Sequence, residues 1–315
     1  VSLGAAAALL FLLAGFGDKA LAGVCFCLIG VAIIGVQPFL NAAAMERVQQ
    51  GLALNYGLAR GIGSVSYAAF SALAGVILGR FGGSGLVATY IFLSLAVLLA
   101  LAAFSAGAGR TVSARQSGET LSGAALLRRN PQFCWFLASS VLLYAAHMMA
   151  ITYMDAIVGR AGGTEAELGL AVAVGAAAEF PAMALLQRIR RRFSAKQILL
   201  FSAVSFAVKL LCLAAAVSMT WVYLASLLQL AAYSLFTGMS VYYVTDVVDP
   251  ANQAKGQALC SGASTVGAVL GNYAGGMLLE HLSVGKTMLF GALLAGAGAV
   301  LLIRCFNGSA DPSKV

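Results

Sequence analysis

Residues 197–246 read QILLFSAVSFAVKLLCLAAAVSMTWVYLASLLQLAAYSLFTGMSVYYVTD, and Lys209 and Asp246 are the charged residues in that run. It contains two apolar stretches, 197–218 and 221–246, each long enough for a helix to cross a bilayer core, which takes about 20 residues. A soluble helix of this length alternates an apolar face with a charged one. This run does not, so lipid and not water is its expected solvent.

Outward from there the pattern repeats. The chain has 315 residues, 61% hydrophobic and 10% charged, too few polar groups to clothe a soluble fold of this size. Apolar runs at 2–16, 20–45, 56–79, 84–108, 132–158, 165–187, 254–279 and 285–305 join the two already quoted. The expected class is all-α and integral to the membrane, with about ten transmembrane helices. The formal charge is +8, but the basic residues sit between apolar runs and not along one polar face, which excludes a nucleic-acid partner. Of 19 Lys and Arg, 14 fall in the loops of one side, four (Lys19, Arg80, Arg160, Lys286) in those of the other, and Lys209 lies within a span. By the positive-inside rule the richer side is cytoplasmic, and both chain ends face it. A multi-pass protein of the cell membrane is expected.

Cys25, Cys27, Cys134, Cys212, Cys260 and Cys305 lie in or at the ends of apolar runs without CxxC spacing, so they read as small apolar fillers, with no metal and no cofactor expected. No HExxH, nucleophile elbow or clustered carboxylate motif occurs, which argues against an enzyme. The chain opens on Val1 with no basic leader segment, and it reads as a truncation.

The longest polar stretch, GRTVSARQSGETLSGAALLRRN (109–130), reads as a cytoplasmic linker. The expected division is an N-terminal bundle (1–108), a linker (109–131) and a C-terminal six-helix bundle (132–315). Residues 56–79 weakly resemble 255–279, with Gly57 over Gly256 and Gly75 over Gly275, as two similar halves would require. Gly267, Gly271 and Gly275, like Gly57/Gly61 and Gly75/Gly79, recur every four residues, a spacing that lets helix backbones touch. Pro38 and Pro181 fall inside spans and are expected to kink them or free a carbonyl.

Ionisable groups deep in a span cost several kcal/mol unless an internal polar path receives them, so they are candidate functional residues. Glu179 lies eight residues from the end of its span, about 12 Å at helical rise, and Lys209 twelve residues into the next, about 18 Å. The two are expected to meet. His147, mid-span, has an imidazole suited to proton transfer or to plain hydrogen-bonded packing. Tyr67, Tyr144, Tyr153, Tyr233, Tyr242, Tyr243 and Tyr273 also lie inside spans; lining a polar cavity satisfies their hydroxyls, and a sugar or ring-bearing solute can stack on their faces. Glu46 and Arg60 flank a short cytoplasmic connection, with Arg60 about one turn inside its helix.

NYGLARGIGSVSY (55–67), EFP (179–181), RIRRRFSAK (188–196) and QLAAYSLF with VYYVTDVV (229–248) together resemble the major facilitator superfamily. Within it they resemble the branch of lactose permease, other oligosaccharide-proton symporters and the phenylpropionate-transporter-like proteins. The likeness starts at the third family helix, so the first two are absent from this sequence. It implies a two-bundle secondary transporter, a monomer, moving a small organic solute with a proton. It also implies that Arg60 grips the solute, that Ser64 lines the site and that Tyr67 stacks on a sugar ring. Glu46 stands near the acidic partner of that arginine, Glu179 matches a glutamate linking sugar and proton, and Lys209 stands near a ninth-helix arginine. The charged relay of the tenth helix is missing, because 221–245 offers only Gln229, Tyr233, Thr237 and similar neutral residues. Two rivals stay open: an exporter of drugs or metabolites on the same fold, and a transport-inactive receptor or subunit.

Overall fold

The computed structural model describes residues 20–21, 23–25, 27–28, 30, 44, 55–107 and 120–307; some side chains within 67–107 and those of 165–166 are outside that description. The expected spans 2–16 and most of 20–45, with Pro38 and Glu46, also lie outside the described residues. Among the described residues regular structure is helical, without a strand. The chain divides into two compact units, residues 1–40 with 69–117 and residues 41–68 with 118–315.

The first helix, α1 (Tyr56–Gly107), runs without the break expected between 79 and 84. It contains no proline, so every N–H can reach its i−4 carbonyl, and Gly82 and Gly83 weaken the helix without stopping it. Residues 56–68 of α1 belong to the larger unit and 69–107 to the smaller. In the smaller unit, Ser94 is buried and the Thr89 hydroxyl donates to the Gly85 carbonyl at 2.8 Å.

The larger unit continues with α2 (Gly123–Arg129), α3 (Pro131–Thr152), α4 (Met154–Arg160), α5 (Glu165–Arg190), α6 (Ala195–Ala215), α7 (Met219–Leu227), α8 (Tyr233–Val247), α9 (Gln253–His281) and α10 (Val284–Asn307). Local chemistry sets most boundaries. Pro131 opens α3 at a position where its missing N–H costs nothing. Capping boxes start two helices: Thr164 with Glu167 for α5, and Ser194 with Gln197 for α6. Between α4 and α5, Gly162 turns the chain at φ 75°, a region open to glycine. The end of α6 is held from outside: the Arg160 guanidinium donates to the carbonyls of Leu213, Ala214 and Ala216 at 2.6, 2.9 and 2.6 Å. That cation sits where the helix dipole is negative, and partial burial draws its pKa below the usual guanidinium value.

Two expected spans are interrupted. The span 132–158 bends at Tyr153, between α3 and α4. The span 221–246 is broken between α7 and α8 by a 3₁₀ turn, Leu228–Leu230. The Gln229 carbonyl there accepts from the buried Ser234 hydroxyl, and the buried Ser202 hydroxyl adds a second donor to the Ala232 carbonyl, which also accepts from the Phe236 N–H. By contrast, α5 passes through Pro181 unbroken.

Glycine sets the closest helix contacts. A Cβ on Gly271 would collide with the Ala145 backbone, and one on Gly267 would reach the Tyr144 Cβ at 2.9 Å, so the expected glycine face of α9 lies flat on α3. On the other side of α3, Ser139 donates to the Gly298 carbonyl of α10 at 2.7 Å. Phe133, Phe136, Phe206 and Phe236, all fully buried, fill the space between α3, α6 and α8. Among the described residues five helical segments are long and apolar enough to cross a membrane: Pro131–Thr152, Glu167–Arg190, Ala195–Ala215, Met219–Val247 and Val284–Asn307. The helix α9 is long enough but carries more Gly, Ser and Asn.

Candidate functional site

Gly57 and Gly61 bring α1 against α5. A side chain at Gly57 would collide with the Met183 carbonyl, and one at Gly61 would meet Phe180 Cδ2 at 3.1 Å. The two helices run antiparallel in this contact, so Ser64, one turn beyond Gly61, arrives at Glu179. Its hydroxyl donates to Glu179 Oε2 at 2.8 Å. The other carboxylate oxygen, Oε1, accepts from Gln229 Nε2 at 3.1 Å. Gln229 Oε1 in turn accepts from Lys209 Nζ at 2.5 Å. A continuous polar chain, Ser64–Glu179–Gln229–Lys209, thus joins α1, α5, the 3₁₀ turn and α6.

The two expected charges are therefore joined through an amide and not directly. Lys209 is 2% exposed and Gln229 4%, so neither charge nor amide has bulk water to fall back on. An ammonium only donates and a carboxylate only accepts, so one orientation of the amide serves both: oxygen toward Lys209, nitrogen toward Glu179.

Arg60, half-buried, carries its charge within electrostatic reach of Tyr56, Tyr233, Tyr144 and Glu179. Tyr56, one helical turn before it, is within hydrogen-bonding reach of the guanidinium. Rings wall this region. His147 stacks on Tyr233 with centroids 4.4 Å apart and meets Phe206 edge-on at 5.8 Å. Tyr144 meets Tyr233 edge-on at 6.1 Å and shares a hydrogen bond of 3.2 Å with Thr237. His147 is buried beside the Lys209 charge, and its Nδ1 has no hydrogen-bond partner among the described residues.

Of the residues expected from sequence, Arg60, Ser64, Glu179, Lys209, Tyr233 and His147 are brought together. Tyr153 is not: its hydroxyl donates to the Asn272 carbonyl at 2.6 Å and its ring lies on Gly275, which places it in the α3–α9 contact. The side chain of Tyr67 lies outside the described residues. Sequence reading gives no site role to Gln229 or Tyr56. Gln229 reads as a neutral residue of its span, and nothing in the sequence announces the break that turns it inward; Tyr56 follows from its spacing of four to Arg60.

A second polar region sits at the basic loop. Arg190 Nη2 pairs with Asp246 at 3.1 Å while its guanidinium lies 4.1 Å from the Tyr242 ring centroid. With Gln187, Arg191 and Ser194 they border a cavity of about 440 Å³. A buried ammonium and amide in series with a half-buried carboxylate and hydroxyl, walled by rings, can bind a solute rich in hydroxyls and can hold or release a proton.

The maltose permease of Geobacillus stearothermophilus is 26% identical to this chain over 270 residues, 85% of this chain and 67% of the permease. The crystal structure of the E. coli fucose:proton symporter shares its fold, with a TM-score of 0.69 at 15% identity, covering 96% of this chain and 81% of that one. The model of the MFS_1 like family matches residues 1–290. The chain belongs to the MFS_1 like family, and is a multi-pass membrane transporter of the major facilitator type.

Proposed function

We propose that this protein is a secondary carrier that moves a sugar, or a similar small polyhydroxylated solute, across the cell membrane together with a proton. The observation that carries the reading is the chain Ser64–Glu179–Gln229–Lys209, half-buried at Ser64 and Glu179 and buried at Gln229 and Lys209, beside Arg60 and the Tyr144, His147 and Tyr233 rings. Dehydrating those charges costs several kcal/mol, and a solute path is what offsets it. The relationship to a maltose permease supports a sugar, and the fucose:proton symporter is a sugar carrier of the same fold that takes a proton with its solute.

In this reading Arg60, Ser64, Tyr67 and Tyr233 hold the solute, and Glu179 takes up and releases the proton under the influence of Lys209 and His147. The carrier works as a monomer by alternating access between the bundles 1–108 and 132–315, joined by the linker 109–131. Its chain ends face the cytoplasm, on the side of the basic loops. The test is uptake into proteoliposomes of labelled maltose, fucose and a panel of other mono- and disaccharides, with an inward proton gradient and with that gradient collapsed by a protonophore. Accumulation of one sugar only with the gradient intact is expected; resistance to toxic compounds on expression, with no sugar accumulated, would favour the exporter.

A further inference from the structure

The 3₁₀ turn Leu228–Leu230 interrupts a span that contains no proline, and a mid-span break of this kind needs a reason. Its cost is met by two buried serines, Ser202 and Ser234, each 0% exposed and each donating to a carbonyl at the break. What the break achieves is the placement of one side chain, Gln229, between Lys209 and Glu179. We propose that Gln229 is a positioning residue: a neutral spacer that keeps Lys209 from closing a contact ion pair with Glu179, so that the carboxylate stays free to exchange a proton and to bind the solute.

The inference rests on the reading of Glu179 as the proton-exchanging carboxylate, and it goes further by assigning a role to a residue outside that reading. Its logic is electrostatic. In contact, ammonium and carboxylate in a medium of low polarity stabilise each other's charged forms and lock the carboxylate ionised. Through an amide the attraction persists over a longer distance, and each charge keeps one charge-assisted hydrogen bond. The amide accepts from the ammonium and donates to the carboxylate, and when Glu179 takes a proton its second oxygen can still accept from Gln229. Among the described residues, the charged or titratable groups around this chain are Arg60 and Tyr56 from α1, Tyr144 and His147 from α3, Lys209 from α6 and Tyr233 from α8.

The test needs no transported solute. The infrared band of protonated carboxyl groups is recorded for the protein in lipid nanodiscs across a pH series, and variants are compared at one mildly acidic pH of that series. The Glu179 contribution is identified as the intensity lost in Glu179→Gln. In Gln229→Met, similar in volume and without hydrogen-bonding groups, that contribution is expected to fall by about half or more. Adding Lys209→Met should restore it, which a merely structural role for Gln229 would not produce. Should Gln229→Met fail to fold, Gln229→Asn, whose amide is too short to touch both partners, carries the same expectations. Unchanged intensity in the Gln229 variant, or no recovery on removing Lys209, overturns the spacer role while leaving Glu179 as the proton site. If Glu179→Gln removes no intensity at any pH, the proton reading itself fails, and the spacer role with it.

Discussion

Glu179 accepts hydrogen bonds from Ser64 and from Gln229, two neutral donors, while the cations of Arg60 and Lys209 act on it without touching it. That arrangement separates the residues a sequence can announce from those it cannot. Glu179 and Lys209 stand out in the bare sequence because a charge within an apolar run is costly enough to need a reason. Gln229 does not stand out, because a neutral amide in a span carries no comparable penalty. Its importance is a matter of distance, which appears only on folding. Lys209 makes the residue-scale prediction. Replacing it by Met leaves Gln229 Oε1 buried without its donor, and an orphaned buried acceptor costs about 1–3 kcal/mol. A lower thermal unfolding midpoint for purified Lys209→Met in detergent is the expected result; an unchanged midpoint would mean that the bond contributes nothing.

At the scale of the element, helix starts were legible and one helix break was not. Thr164 with Glu167 and Ser194 with Gln197 are capping pairs at fixed spacing, and both open the helices that their sequence implies. The turn at 228–230 has no glycine or proline to signal it; it is held by Ser202 from another helix, a tertiary cause invisible to local reading. The opposite error occurs in α1, where residues 80–83, with Gly82 and Gly83, read as a break between spans and the chain stays helical. Glycine on α9 offers an internal comparison. Gly271→Leu forces a side chain onto the Ala145 backbone, whereas a Cβ at Gly262 meets nothing within 4 Å. Gly271→Leu is expected to destabilise by about 3 kcal/mol or to abolish folding, and Gly262→Ala to be neutral or to stabilise by about 0.5–1 kcal/mol. Expression yield and thermal midpoints of the pair decide it, and equal behaviour would refute the close contact. Arg160→Ala, which strips three carbonyls at the end of α6 of their donor, should cost about 1–3 kcal/mol in the same assay. Arg160→Lys should recover part of that loss, since a point charge still suits the helix terminus.

At the scale of the whole molecule, the class was legible because composition leaves little choice: a chain with 10% charged residues has to find its solvent in lipid. The proposed side of the membrane rests on a different signal, the crowding of Arg and Lys between spans. It makes a topology prediction. A cysteine introduced at Ser194, beside Arg190 to Arg192, should react with membrane-impermeant maleimide only after intact cells are opened, and one at Gly159, exposed and with open space at its Cβ, should react without opening. The reverse labelling would invert the orientation. In the proposed mechanism transport depends on the polar chain described above, and so one carboxylate bears most of the account. The most direct measurement is Glu179→Gln in proteoliposomes, assayed side by side for uphill, gradient-driven sugar accumulation and for downhill exchange of labelled against unlabelled sugar. Loss of accumulation with exchange retained is predicted, since a glutamine can still bind solute hydroxyls but cannot carry a proton; accumulation at the wild-type level would contradict the account.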